Sequence, residues 1–123
     1  MRVERNVRLL SGRLNAAASE RDIQWARDCC SFSREIQLGI WQFRPSFDYV
    51  EKTVLPLLER ACKEVRKSAR PRSGFAPLAN NIKIRATNIR SVYLRSKIAP
   101  MWLFRKVRRR TVGEIFAPAP ACH

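Results

Sequence analysis

Apolar residues recur every three or four positions in the first part of the chain, which is the period of an α-helix with one buried face. The pattern predicts an amphipathic helix over residues 3–19. Its apolar face consists of Val3, Val7, Leu10, Leu14 and Ala17. Gly12 lies inside this segment and lowers its helix propensity by about 1 kcal/mol relative to alanine. We therefore expect another element to pack closely against that glycine.

A second helix is predicted over residues 23–34, where Trp25, Cys29 and Phe32 repeat the spacing of one helical face. Asp22 precedes this helix, and its carboxylate can accept hydrogen bonds from the free backbone N–H groups of the first turn. We expect Asp22 to be the N-cap and to mark the break between the first two helices.

The segment IQLGIWQFRP, residues 36–45, has no clean period, and its glycine and closing proline predict an apolar turn. A third helix is expected to start at Ser46, a favourable N-cap residue. Its apolar face consists of Phe47, Val50, Val54, Leu57, Leu58 and Ala61. Pro56 removes one backbone hydrogen bond inside this helix. We expect a kink there and not an end, because the apolar period continues past it.

Residues 80–98 fit two patterns. Ile82 and Ile84 alone alternate as in a strand. A helical face accounts for more positions, namely Ile82, Ala86, Ile89, Tyr93 and Ser96. We therefore favour a helix for this segment.

The predicted fold class is all-α, with a small three-helix globular part followed by an extended, partly helical, basic C-terminal arm. We place the globular part at residues 1–63 and the arm at residues 64–123. Pro71, Gly74 and Pro77 mark a turn or linker after the third helix. A core of three helices is close to the lower size limit for independent stability.

Charge is distributed unevenly between these two parts. The chain carries 25 Lys and Arg against 10 Asp and Glu, a net charge of +15. Residues 1–63 hold 11 basic and 8 acidic residues, whereas residues 64–123 hold 14 and 2. Mutual repulsion opposes compaction of the second part, so we expect a polyanion to bind it. Arginine, with 19 of the basic residues, favours a nucleic acid because its guanidinium forks onto phosphate oxygens and stacks on bases.

The predicted RNA contacts in the arm are mostly basic side chains. They are Arg66, Lys67, Arg70, Arg72, Lys83, Arg85, Arg90, Arg95, Lys97, Arg105, Lys106, Arg108, Arg109 and Arg110. Trp102 lies among them in MWLFRKVRRR, an arrangement that suits base stacking beside neutralised phosphates. Anchoring of Trp102 and Phe104 to a neighbouring protein is the alternative.

No apolar run reaches the roughly 18 residues needed to span a bilayer. The run IAPMWLF, residues 98–104, is long enough only to lie on a membrane surface, with the adjacent RKVRRR on anionic headgroups. The Arg-rich, acid-poor start of the chain is also typical of a mitochondrial transit peptide. The sequence leaves open whether this segment is a targeting signal or part of the fold.

Residues for metal binding and catalysis are sparse. The four cysteines, Cys29, Cys30, Cys62 and Cys122, form no CxxC pair, so we expect buried, reduced thiols and no metal site. His123 is the single histidine, and there is no glycine-rich phosphate loop or HExxH motif. The sequence therefore predicts no enzyme activity and no cofactor.

A family resemblance appears in LLSGRLNAAASERDIQW, residues 9–25. This segment resembles the first core helix of the globular part of ribosomal protein twenty of the bacterial and mitochondrial large subunit. That family carries Leu-Trp-x-x-Arg-Ile-Asn-Ala-Ala, followed by an acidic residue, a glycine, an aliphatic residue and a tyrosine. The positions in register are Arg13, Leu14, Asn15, Ala16, Ala17, Glu20, Ile23 and Trp25.

The resemblance has clear departures. Leu10 replaces the family's tryptophan, and Asp22 replaces its glycine. The family's long basic helix precedes the globular part, whereas the basic residues of this chain follow it. The resemblance implies that Arg8, Arg13 and Asn15 face phosphate and sugar, and that residues 16–18 let a partner helix or an RNA backbone approach closely. The alternative is that these alanines simply favour a helix and fill a small core.

Together these features predict a structural rRNA-binding protein of the large subunit of a ribosome, set in the mitochondrial matrix. It would brace rRNA by phosphate neutralisation and shape docking, beside neighbouring ribosomal proteins and with no small-molecule substrate. The alternative prediction is an accessory structural subunit of an organellar membrane protein complex.

Overall fold

The computed structural model describes the backbone of residues 2–68 and 74–109, and the side chains of residues 3–68 and 74–93. Helix α1 spans Arg2–Leu14, and α2 spans Ile23–Phe43. Helix α3 runs without a break through Phe47–Tyr49, Val50–Val54 and Leu55–Ser68, and α4 spans Phe75–Arg109. These ranges contain no strand, so the all-α class and the helix favoured for residues 80–98 are confirmed. This helix already starts at Phe75, so Pro77 lies in its first turn, where a missing N–H is tolerated, and the turn or linker predicted there is wrong.

Helix α1 is shorter than predicted. It ends at Leu14, and a 3₁₀ turn at Ala18–Glu20 follows, so the predicted end at residue 19 is wrong. Side chains from farther along the chain bind the carbonyls at this end. The Trp25 indole N–H donates to the Arg13 carbonyl at 2.6 Å, and the Arg21 guanidinium donates to Leu14 at 2.7 Å and to Ala16 at 3.0 Å. The bonds to Arg13 and Leu14 satisfy the last carbonyls of α1, which a longer helix would otherwise satisfy, and the bond to Ala16 fixes the turn that follows.

Helix α2 begins as predicted and ends later than predicted. The Asp22 carboxylate accepts a hydrogen bond from the Trp25 backbone N–H at 2.9 Å, which confirms the N-cap. The helix continues to Phe43, so the apolar turn predicted at residues 36–45 is wrong. Ile36 and Ile40 are fully buried, and burial of this face stabilises the helix despite its irregular period. Arg44, with φ 48°, takes the left-handed conformation that ends the helix.

The two glycines of α1 and α2 have opposite surroundings. A Cβ atom built on Gly39 would lie 2.7 Å from Cγ2 of Val3, so α1 crosses α2 closely at this position. A Cβ atom built on Gly12 meets nothing within 4 Å. The close packing predicted at Gly12 is therefore wrong, and the glycine that packs closely is Gly39.

Helix α3 begins at the predicted cap and passes through its proline. The Ser46 hydroxyl accepts a hydrogen bond from the Tyr49 backbone N–H at 3.2 Å. Residues Val50–Val54 form a π-helical turn, in which the Leu55 N–H donates to the Val50 carbonyl. Pro56 follows directly. The departure from α geometry thus lies in the turn before the proline, where the backbone adjusts to the missing donor.

The core of the first compact unit, Met1–Ser91, includes residues of all four helices. Trp25 of α2 is fully buried, as are Leu10 of α1 and Leu58 of α3. Ile82 and Ile89 of α4 are also fully buried. The hydrophobic core therefore draws on residues beyond position 63, where the sequence predicted a boundary. A second unit begins at Val92, and its helical part reaches Arg109.

The described cysteines are buried and unpaired, as predicted for Cys29, Cys30 and Cys62. Cys122 lies outside the described residues. Burial raises the pKa of the Cys29 thiol to about 12 and so keeps it protonated at neutral pH. The Cys62 thiol donates to the Ala79 carbonyl at 3.3 Å, which links α3 to α4.

Candidate nucleic-acid interface

Some of the predicted RNA-binding arginines bind other parts of the fold. Nη1 of Arg85 donates to the Cys30 carbonyl at 2.7 Å and to the Ser33 hydroxyl at 2.8 Å, and it lies 3.2 Å from the Cys30 sulfur. Arg85 thereby joins α4 to α2. Nη2 of Arg13 lies 3.1 Å from the Asp28 carboxylate, so this guanidinium joins α1 to α2. In this fold both arginines are engaged by protein groups.

Two predicted contacts near the start of the chain are exposed. Arg8 lies on the outer side of α1, and Asn15 lies in the turn that follows this helix. Ala17 and Ala18 are also exposed, whereas Ala16 is half-buried. The alanine stretch is therefore on the surface of the chain and outside its core.

Other predicted contacts lie together in a cleft between α3 and α4. The α3–α4 cleft has a volume of about 500 Å³. Its lining consists of Glu59, Cys62, Lys63, Arg66, Lys67, Lys83, Ala86, Thr87 and Arg90. Five of these side chains are cationic and one is a carboxylate. Arg66, Lys67, Lys83 and Arg90 were predicted from the sequence, and the structure brings these four together.

Helical spacing explains how these cations converge. On α3, Lys63 lies three and four residues before Arg66 and Lys67, so the three share one face. On α4, Lys83 and Arg90 are seven residues apart, about two turns. The buried Cys62 and Ala86, which are 7% and 4% exposed, form the floor between the two helices. The cationic side chains stand on the rims.

The acidic residues near the cleft are already paired. Nη2 of Arg90 lies 2.5 Å from the Glu59 carboxylate. Glu64, one of two acids in the basic half, lies 2.6 Å from Nη1 of Arg21, and both side chains are less than one-fifth exposed. The hydrogen bond from Arg21 is the main cause that lowers the pKa of the Glu64 carboxyl, and it does so against the opposing effect of burial. No carboxylate in the described part of the chain pairs with Lys63 or Lys83.

The structure also reveals residues that the sequence prediction missed. Lys63 is in the cleft, and its spacing from Arg66 was the signal that could have indicated it. Arg21 is the largest omission. Its guanidinium binds two carbonyls and Glu64, and it lies 4.9 Å from the centre of the Trp25 ring. No local pattern marks Arg21, because its partners are up to 43 residues away.

The remaining predicted contacts lie outside the described side chains. Arg70, Arg72 and Arg110 lie outside the described residues altogether. The others belong to α4, and only their backbone is described: Arg95, Lys97, Trp102, Arg105, Lys106, Arg108 and Arg109.

In the described part of the chain, no helix combines the length and the apolar character needed to cross a bilayer. No group of histidine, cysteine and carboxylate side chains among the described residues is arranged to hold a metal ion. Comparisons with protein families, with curated proteins and with solved structures find no match to this chain.

Proposed function

We propose that this protein is a structural RNA-binding protein and that its RNA is the rRNA of a mitochondrial large ribosomal subunit. The observation that carries the proposal is the charge of residues 64–123, with 14 basic residues and 2 acidic ones. One of these acids, Glu64, forms an ion pair with Arg21, which belongs to residues 1–63. Little negative charge is left within the arm to balance it, so an external polyanion is the natural partner.

The mechanism is bracing of folded RNA. Phosphate contacts to the arm supply most of the affinity and are independent of base sequence. The helical unit docks by shape, as expected for duplex RNA, while unpaired bases stack on aromatic side chains such as Trp102. Enzymatic chemistry has no part in this proposal.

The ribosomal setting depends on the resemblance at residues 9–25. Those residues form the end of α1, the turn and the start of α2. Ala17 and Ala18 are exposed there, so a partner can approach the backbone closely, as the resemblance implies. The predicted location in the mitochondrial matrix belongs to the same proposal.

Co-purification from organelle lysate tests the proposal. We expect the tagged full-length chain to recover large-subunit rRNA, and we expect the yield to fall steeply as salt is raised. The same extraction with and without detergent addresses the membrane-complex alternative. Recovery that depends on detergent, contains no RNA and is insensitive to salt would contradict the proposal.

Removal of charge near the end of α4 should weaken RNA binding. With Arg108, Arg109 and Arg110 replaced by alanine, the slope of log K against log salt should decrease in magnitude by up to about 2, since each lost single-strand phosphate contact removes roughly 0.7. Filter binding at several salt concentrations measures the slope. The matched control replaces three exposed arginines of α1 and α2, namely Arg5, Arg27 and Arg34. Equal slopes for the two triple variants would count against phosphate contact at residues 108–110.

A further inference from the structure

The α3–α4 cleft is concave, and this shape distinguishes it from an ordinary solvated basic surface. Charges on a convex face point apart into water, whereas charges on facing rims share one space and focus the field within it. Like charges three or four residues apart on a helix also destabilise it, as for Lys63, Arg66 and Lys67. In the described chain, no carboxylate lies within ion-pair distance of Lys63 or Lys83, and the one carboxylate in the cleft, Glu59, is bound to Arg90. The arrangement therefore favours a bound anion.

Three of the five cations have polar partners within the protein: Nζ of Lys67 lies 3.9 Å from the Glu64 carboxylate, and the two arginines are hydrogen-bonded. Nη2 of Arg66 donates to Oδ1 of Asn80 at 3.0 Å, and Arg90 is held by Glu59. Each guanidinium keeps further N–H groups beyond the one engaged, because arginine has five donors. Held arginines lose less side-chain entropy when an anion binds. Lys63 and Lys83 add mobile point charges to the same space.

The floor of the cleft differs from its rims in a way that suits a sugar–phosphate chain. Cys62 and Ala86 are buried and present little polar surface, so they can contact a ribose face. Thr87 is exposed beside Ala86, and its hydroxyl can donate to a phosphate or sugar oxygen. A volume of about 500 Å³ lies within the usual range of ligand pockets.

We propose that the α3–α4 cleft binds the phosphate backbone of an RNA strand and is a contact site separate from the basic residues at positions 95–110. This inference rests on the proposed function, since it takes RNA as the source of the phosphates. RNA is favoured over a free phosphate compound because the cleft residue Arg90 is followed along the chain by seven more basic residues from Arg95 to Arg110 that suit the same polyanion. Two contact sites on one chain raise the affinity for a long strand beyond that of either site.

The test compares two double variants of the full-length protein. The cleft variant carries Lys63→Gln and Lys83→Gln, and the control variant carries Arg27→Gln and Arg34→Gln on exposed positions of α2. Both variants lose two charges, and none of the four residues takes part in an ion pair within the described chain. Binding of fluorescein-labelled polyuridine is measured by anisotropy over a range of salt concentrations, and circular dichroism verifies the fold of each variant.

For the cleft variant, the log–log salt slope should decrease in magnitude by about 1.4, which corresponds to two single-strand phosphate contacts. The control variant should keep the wild-type slope. Equal slopes for cleft and control variants would overturn the cleft inference, while steep binding by the wild type would leave the proposed function standing. Failure of the wild type to bind any RNA would instead overturn the proposed function.

Free tripolyphosphate distinguishes the two sources of phosphate. We expect it to displace polyuridine from the wild type only at concentrations far above that of the RNA, because it cannot occupy the cleft and the basic residues at positions 95–110 together. Displacement at equimolar phosphate that is lost in the cleft variant would overturn the RNA assignment, since it would identify the cleft as a site for a small phosphorylated ligand.

Discussion

Replacement of Arg21 by glutamine should lower the free energy of unfolding by about 3 kcal/mol, because the change leaves Glu64, the last carbonyl of α1 and the Ala16 carbonyl of the next turn without their donor. The side chain of Arg21 is only 18% exposed, so water can replace these bonds only in part. The variant also loses the guanidinium that lies on the Trp25 ring. Urea unfolding followed by circular dichroism measures the loss.

Arg27→Gln is the matched control for this prediction. Arg27 is exposed on α2 and takes part in no ion pair within the described residues. Its replacement should change the free energy of unfolding by less than about 0.5 kcal/mol. Similar losses for the two variants would mean that Arg21 contributes general charge and not the specific bonds at the end of α1.

The pair of Arg21 and Glu64 should also make stability depend on pH. The pKa of Glu64 is lowered in the folded protein, so its contribution is fully present above the unfolded pKa of about 4.3 and is lost as pH falls through the lower folded value. The stability difference between the wild type and Glu64→Gln should therefore be constant at neutral pH and shrink in acid. A difference that stays constant throughout the acid range would show that the charge of Glu64 does not stabilise the fold.

Replacement of Gly39 by valine should destabilise the protein by about 3 kcal/mol, at the upper end of the usual cost of overpacking. The first added carbon alone would lie 2.7 Å from Cγ2 of Val3. Val3 is fully buried, and its β-branched side chain has one strongly preferred rotamer in a helix, so it cannot move aside freely. Thermal and urea unfolding of the variant measure the effect.

Gly12 provides the opposite case on the partner helix. Space is open around its position, so Gly12→Val should leave stability within about 0.5 kcal/mol of wild type through helix propensity alone. A large loss at Gly12 with little change at Gly39 would contradict the observed crossing of α1 and α2.

Local signals in the sequence predicted the starts of α1, α2 and α3 well, whereas α4 starts five residues before its predicted position. Asp22 and Ser46 were recognised as N-caps because a capping side chain binds N–H groups two or three residues away. The apolar faces were found for the same reason, since helical periodicity is read within a single segment. The all-α class followed from these local patterns.

Helix ends and close contacts were predicted poorly because they depend on distant partners. The end of α1 is determined by Arg21 and Trp25, which lie outside that helix. The role of Gly39 depends on Val3, 36 positions earlier in the chain, and its isolated position in an apolar segment suggested a turn instead. A glycine in a sequence indicates a flexible backbone or a position of close approach, but it does not indicate which residue elsewhere in the chain packs against it.

The same distinction between local patterns and distant contacts applies to the candidate site. The amino-acid sequence alone determined that the second half of this protein is strongly cationic and that helices would carry those charges, because charge and periodicity are properties of composition and spacing. Only the tertiary structure decided which cations are engaged by protein and which share a cleft. Arg85 joins α4 to α2, while Lys63 and Lys83 line the cleft from α3 and α4. The packing of the buried helix faces fixes the rotation of each helix, and this rotation determines where the adjacent charged side chains lie.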